Sequence, residues 1–244
     1  TEQLFAIGAG DRIVGTSAFS DFPPQARRIP VVARAQSVDL EAIASLRPDL
    51  IVLWSSGYAA GTEQALRRLG APVDVSEPGS LESIARSLER LGALTDAPLA
   101  AQQAQQFRAT LQALRQQYAG RPPLRVFYQV WGQPLLTLSG RHVVSEAIRL
   151  CGGRNIFEGL GPLAPAVSPE AVIAADPQVL IASEPGGVDR GALDLWKRYP
   201  FLRAVAHGQL VTLDSDRIDR AAPRMLEEVQ TLCRRLDAAR GAGG

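Results

Sequence analysis

The chain carries one stretch of sequence twice. Asp39-Leu40-Glu41-Ala42-Ile43, running on to Pro48-Asp49-Leu50-Ile51, returns as Ser168-Pro169-Glu170-Ala171-Val172, running on to Pro177-Gln178-Val179-Leu180, at a constant offset of 129 residues. Both copies read alike: a capping side chain, a short amphipathic helix, a proline that stops it, then an apolar strand. Thr1-Glu2-Gln3-Leu4, running to Gly8-Ala9-Gly10, is mirrored in the same order by Ser145-Glu146-Ala147-Ile148, running to Gly152-Gly153. Two matches in one order point to a duplicated α/β unit. In the second copy a strand precedes the Ser145 helix, so the repeat leads us to expect a strand ahead of Thr1, absent from this chain.

Around the copies, short apolar runs alternate with helical patterns, the mark of βαβ units and a parallel sheet. Strands are expected at Ile13–Thr16, Leu50–Trp54 (buried), Val73–Val75, Leu124–Val130, Val179–Ala182 and Leu210–Leu213. Helices are expected from the Asp39 cap to Leu46, at Thr62–Gly70, Leu81–Leu91, Ser145–Cys151 and Pro223–Leu236. From Ala97 to Tyr118 the pattern changes. Ala100, Ala104, Phe107, Leu111, Leu114 and Tyr118 step by three or four, with glutamine and arginine on the other face. Thr95 and Asp96 are the expected caps, Pro98 sits in the first turn, and Gly120 with Pro122-Pro123 ends the run. A helix of about 22 residues, roughly 33 Å long, suits a rigid connector in mid-chain. The expected organisation is an N-terminal α/β lobe over 1–94, a connecting helix over 95–120 and a C-terminal α/β lobe over 121–244.

At 244 residues, 46% of them apolar, the chain can bury two modest cores. A net charge of +1 from 26 basic and 25 acidic residues leaves no clustered basic excess for nucleic acid. Lys197 is the only lysine, so lysine chemistry has no other candidate. No run approaches the length of a membrane span, and no leader segment is legible. Cys151 and Cys233 either stay as buried thiols or bridge. Bridged, they would close a loop of about 80 residues, worth roughly 4–5 kcal/mol in the chain-entropy model, and would imply an oxidising compartment.

Catalytic constellations are scarce. His142 and His207, the only histidines, lie in different segments, and surface or core roles outweigh catalysis for each. There is no nucleophile elbow, Walker loop, zinc-protease helix or Cys-x-x-Cys pair. Gly8-Ala9-Gly10 lies at a helix end, where a C-cap explains it better than a dinucleotide fingerprint. Asp214 and Asp216 share a loop, where solvated charge is the ordinary reading.

A binding site is better provided for. Ligands of open parallel sheets bind beyond the carboxyl ends of the strands. There the chain places Phe19 and Phe22 around Ser20-Asp21, Trp54 at the end of its strand, Tyr58 beyond Ser55-Ser56-Gly57, and Trp131 after Phe127–Val130. Core packing competes as an explanation for each ring. Asp216 and Arg220 follow the Leu210–Leu213 strand and could bond amide or phosphate groups, or simply be solvated. Glu41 and Glu170 occupy equivalent first helical turns, where the helix dipole alone favours them. Their repetition also places one acidic knob on each lobe, suited to arginine sockets on a two-fold partner.

With these residues in view, the sequence resembles the periplasmic cobalamin (vitamin B12)-binding proteins of ABC importers, within the helical-backbone (class III) substrate-binding proteins. The resemblance is carried by Gly15-Thr16-Ser17-Ala18-Phe19-Ser20-Asp21-Phe22-Pro23-Pro24, Asp39-Leu40-Glu41 through Pro48-Asp49-Leu50, and Leu150-Cys151-Gly152-Gly153-Arg154-Asn155-Ile156-Phe157. Val167-Ser168-Pro169-Glu170 and Arg220-Ala221-Ala222-Pro223-Arg224 complete it. It implies two Rossmann-like lobes joined by one long helix, a Cys151–Cys233 disulfide, and Glu41 and Glu170 as docking residues for the two permease subunits. It implies a monomer that binds a corrinoid as cargo, needs no cofactor, metal or nucleic acid, and works in the periplasm without being an enzyme. Trp54, Asp216 and Arg220 match pocket positions, Phe19 replaces a tyrosine, Asp219 replaces a glutamate, and Val130 and Trp131 fall near a phenylalanine. Ala35 and Ala164 stand where tryptophans are expected, which opens the site and leaves haem or a ferric siderophore as alternative ligands. A cytosolic α/β enzyme acting on a nucleotide or sugar is the remaining alternative, and it requires free thiols at Cys151 and Cys233.

Overall fold

A computed structural model of the protein describes residues 1–242 apart from Gln36, Ser55, Ser56 and Pro78. The chain divides into two compact units, residues 1–78 with 83–105, and residues 79–82 with 106 onward.

The first unit contains α1 (Glu2–Ala6), β1 (Thr16–Ser17), β2 (Val31–Arg34), β3 (Ser37–Val38), α2 (Leu40–Leu46), β4 (Ile51–Leu53), α3 (Thr62–Arg67) and β5 (Val73–Val75). It also holds most of α4 (Leu81–Thr95) and the start of α5 (Ala100–Gln117). β1 pairs in parallel with β2, and β3 adds to β2 antiparallel. β4 and β5 form a separate parallel pair, Leu53 opposite Val75. Ile43, Leu53, Leu66 and Val73 make the small core between this pair and its helices.

The second unit is built from β6 (Leu124–Gln129), the hairpin β7 (Trp131–Gly132) and β8 (Leu135–Leu136), α6 (Val143–Leu150), β9 (Gly153–Asn155) and α7 (Pro169–Ala175). β10 (Val179–Glu184), α8 (Arg203–Ala206), β11 (Leu210–Asp214), α9 (Ser215–Ile218) and α10 (Met225–Ala242) complete it. Its sheet is wholly parallel in the order β11-β10-β6-β9. Strands buried on both faces are expected to be apolar throughout, and β10 opens with four buried residues. Phe127, Leu180, Val172 and Trp196 pack at the centre, with Trp196 edge-on to Phe127 at 5.5 Å between ring centroids.

The repeated stretch folds identically in the two units. Asp39 accepts a hydrogen bond from the Ala42 amide, and Ser168 accepts one from the Ala171 amide, each capping its helix. Each cap satisfies an otherwise orphaned N–H and is worth about 1 kcal/mol. Both helices end in a non-glycine residue in the left-handed region, Arg47 at φ 45° and Asp176 at φ 41°. The chain then turns into β4 and β10.

Cys151, at the end of α6, is bonded to Cys233 on α10, 82 residues away. In the chain-entropy model this closure stabilises the unit by about 4–5 kcal/mol. The free thiols that the cytosolic-enzyme alternative requires are therefore not found.

Several expectations need correction. The Ile13–Thr16 run is strand only from Thr16, because β1 meets β2 over two residues. Leu50–Trp54 was expected to be buried, yet Val52 is 38% exposed, since among the described residues β4 pairs with β5 alone. The mid-chain helix begins at Ala100, not Ala97, and spans 18 residues. Thr95 and Asp96 close α4 instead of opening α5. Asp96 takes φ 46°, and the Ala97 amide bonds back to the Gly92 carbonyl, the Schellman arrangement that ends a helix. α4 and α5 cross closely there: a Cβ at Gly92 would lie 2.1 Å from that of Ala100. His142 caps α6, its Nδ1 accepting from the Val144 amide, which accounts for it without chemistry.

Candidate ligand-binding site

In each unit, the loops that leave the carboxyl ends of the parallel strands carry exposed aromatic rings. In the first unit Phe19, two residues beyond β1, is 70% exposed, and Trp54, one residue beyond β4, is 60% exposed. In the second, Trp131 opens the hairpin just after β6 and is 62% exposed. Core packing is thereby excluded for all three. Phe22 is only marginally exposed, in the loop after Phe19. Tyr58 is placed differently. It packs against the Ile43, Leu53, Leu66 and Val73 cluster, and burial pushes its hydroxyl pKa up. Ser55 and Ser56, which precede it, lie outside the described residues.

Two of these rings are held by hydrogen bonds, Trp131 within its own hairpin and Trp54 from the loop after the neighbouring strand. Trp131 Nε1 donates to the Gln133 carbonyl at 2.9 Å, and the Val130 amide donates to Leu136 across the hairpin. Trp54 Nε1 donates to a Glu77 carboxylate oxygen at 3.2 Å. Glu77 was not legible as a site residue. Its proximity to Trp54 follows from the pairing of β4 with β5, which a single sequence does not display.

Polar groups gather at the ends of β6, β10 and β11. Asp214 bonds the Gly186 and Asp216 amides, tying the turn after β10 to the start of α9. Arg220 donates to Asp216 at 2.9 Å, one helical turn apart. Both are partly exposed, so the ion pair orients the two side chains more than it stabilises the fold. Asp214 is thus structural, whereas Asp216 and Arg220 present hydrogen-bonding groups at the strand ends.

Asp219 proves to be the organising residue of this cluster. Tyr128, on β6, donates to one of its oxygens at 3.0 Å, and Ser183, on β10, donates to the other at 2.7 Å. A single carboxylate therefore fastens the segment after α9 to two neighbouring strands. The residue keeps exposed surface, but both its oxygens face protein donors. Its pKa is raised from 3.8, chiefly by burial, against the lowering effects of Ser183, Tyr128 and Arg220. Burial and the adjacent Asp219 push Tyr128 well above 10.

Glu41 and Glu170 both lie exposed in the first turns of α2 and α7. The Glu170 pKa is lowered by hydrogen bonds from its own backbone amide and from Ser168. Among the described residues no cluster of His, Cys, Asp and Glu could hold a metal ion. One surface hollow in the first unit, lined by Arg47, Asp49 and Leu69, lies at the amino ends of β4 and β5, away from the aromatic loops.

Residues 1–217 match the periplasmic binding protein family. The chain is 38% identical over 240 residues to a vitamin B12-binding protein of Vibrio cholerae, covering 98% of this chain and 86% of that protein. The crystal structure of the periplasmic vitamin B12 binding protein of Vibrio cholerae superposes with a TM-score of 0.90 at 38% identity, covering 98% of this chain and 94% of the other. A periplasmic heme-binding protein solved with two hemes is similar at 27% identity and a TM-score of 0.85, over 98% and 94% of the two chains.

The Asp219 carboxyl gives a pH prediction. The folded protein holds this proton more tightly than the unfolded chain does, so the residue's contribution to stability is complete below pH 3.8 and declines as the pH rises through the raised folded value. Asp219→Asn cannot titrate. Denaturant unfolding from pH 4 to 7 should show the variant gaining on the wild type as the pH rises. A wild-type-to-variant difference independent of pH would contradict the assignment.

Proposed function

Since this chain belongs to the periplasmic binding protein family, we propose that it binds a corrinoid of the cobalamin type in the periplasm and delivers it to an ABC importer. The observation that carries this reading is the extent of the likeness to vitamin B12-binding proteins: 38% identity over 98% of the chain, through both compact units. The role is binding and hand-over, without chemistry on the cargo.

The site chemistry supports the same ligand. A corrinoid offers broad apolar faces fringed with amides. Phe19, Trp54 and Trp131, with the part-exposed Phe22 beside them in sequence, supply aromatic contact for such faces. Asp216 and Arg220 supply an acceptor and donors for the amides. Tyr58, four residues beyond Trp54, packs on the small core of the first unit. The positions of Ala35 and Ala164 leave more room than tryptophans would, so corrinoids with a larger or a missing nucleotide loop also fit this reading.

Haem is the competing cargo, because a haem-binding relative is similar over nearly the whole chain. The residues that could ligate its iron are poorly disposed. His207 ends α8 ahead of β11, at the amino ends of the strands, and Tyr58 has its pKa raised by burial, which disfavours the phenolate. A cobalt already saturated within a corrinoid asks for no protein ligand. That favours the corrinoid.

Glu41 and Glu170 are the docking residues of this reading, one on each lobe of a monomer, facing basic sockets on the two permease subunits. We assign the lobes to residues 1–94 and 121–244, with 95–120 connecting them.

Calorimetric titration with cyanocobalamin, dicyanocobinamide, haemin and a ferric hydroxamate tests the ligand. A cyanocobalamin Kd below micromolar, about −8 kcal/mol or better, is expected. A folded protein that binds haemin or the hydroxamate and no corrinoid would refute it. Docking is tested separately with Glu41→Ala and Glu170→Ala. Each should bind cyanocobalamin like the wild type yet lower corrinoid uptake by cells carrying the importer, and the double variant should lower it further. Unchanged uptake in the double variant would remove the docking role.

A further inference from the structure

From the packing around Trp54 we infer that Glu77 and Gly57 are positioning residues, which hold the indole as a preset platform for the ligand. The inference rests on the corrinoid reading for what the platform meets, and on local geometry for how the ring is held. β4 and β5 run in parallel with Leu53 opposite Val75, and the Ser76 amide continues the ladder to the Leu53 carbonyl. The residues that leave the two strands are therefore neighbours. Trp54 leaves β4 and Glu77 leaves β5, and the indole Nε1 donates to the Glu77 carboxylate at 3.2 Å.

Gly57 closes the other side. Its amide bonds the Trp54 carbonyl, and its Cα lies against the six-membered ring. A Cβ at position 57 would sit 2.4 Å from Trp54 Cε3 and 2.7 Å from Cζ3, inside contact distance. Only glycine lets the indole lie where it does. The ring is thus fixed at its nitrogen edge by a carboxylate and at its benzo edge by bare backbone, while 60% of the residue stays open.

A tryptophan this exposed has little packing to choose its rotamer. Left unheld, it would have to be ordered when a ligand arrives, at a cost of about 0.5–1.5 kcal/mol for one immobilised side chain, which corresponds to about two- to tenfold in Kd. Glu77 and Gly57 make that selection beforehand. Glu77 needs only an acceptor oxygen for this role, so a neutral amide should serve and a methyl group should not.

The test pairs the Trp indole ¹H–¹⁵N resonances, with Trp54 assigned through Trp54→Phe, with cyanocobalamin calorimetry on Glu77→Ala, Glu77→Gln and Gly57→Ala. In Glu77→Ala the Trp54 Nε1–H resonance should move upfield and the Kd should rise about two- to tenfold. Glu77→Gln should recover most of both, and Gly57→Ala should displace the resonance and weaken binding comparably. An unmoved Trp54 resonance or an unchanged Kd in Glu77→Ala would overturn the inference. Should the wild type bind no cyanocobalamin, the corrinoid reading falls by itself, and the resonance shifts still decide whether Glu77 holds the ring.

Discussion

In a parallel sheet every strand leaves by the same edge, and the second unit depends on this constraint. Leu180 of β10 lies opposite Phe127 of β6 on one side and Leu210 of β11 on the other. With that register set, Tyr128, Ser183 and the segment from Asp214 to Arg220 emerge side by side. Asp219 can then bond Tyr128 and Ser183 together, and Asp214 can join the turn after β10 to α9. A slip of one residue would send these side chains to the opposite faces and dissolve the cluster. The aliphatic core of β10 and the packed Phe127 and Trp196 rings hold the register.

The same logic operates in the first unit on a smaller scale. β4 and β5 bring Trp54 and Glu77 together, and α2 packs Ile43 against Leu53 behind them. The duplicated helix explains why both units can present comparable surfaces. A capped start, a left-handed stop and an exposed glutamate in the first turn recur at equivalent positions, although Asp39 caps one copy and Ser168 the other. What differs between the copies is the decoration of the strand ends: aromatic rings dominate one, a polar cluster with a single exposed tryptophan the other.

Much of this was legible in the sequence because it is local or repeated. Capped helices, their proline stops and the apolar strands announce themselves within a few residues, and the 129-residue offset reveals the duplication. Residues at the carboxyl ends of strands could be selected for the same reason, and Phe19, Trp54 and Trp131 are indeed exposed. The pairing of the cysteines came from the family resemblance and is found in the fold. The failures have physical causes. Thr95 and Asp96 suit a helix start by residue type, yet the left-handed turn at Asp96 closes α4, a choice set by its crossing with α5. The contacts of Glu77 with Trp54 and of Asp219 with Tyr128 and Ser183 depend on strand adjacency, which leaves no periodic trace. Tyr58 shows the converse, since a loop aromatic can fold back onto a core that its own neighbours do not reveal.

The central claim is that the exposed strand-end tryptophans are kept for a ligand and do not serve the fold. Measuring cyanocobalamin affinity and thermal unfolding together for Trp54→Ala and Trp131→Ala tests this most directly. Each ring stands about three-fifths exposed, so the account predicts unfolding midpoints close to the wild type, with affinity weakened about tenfold or more in each variant, as for aromatic anchors in a binding surface. Wild-type affinity in both variants, or a large loss of stability with affinity intact, would contradict it.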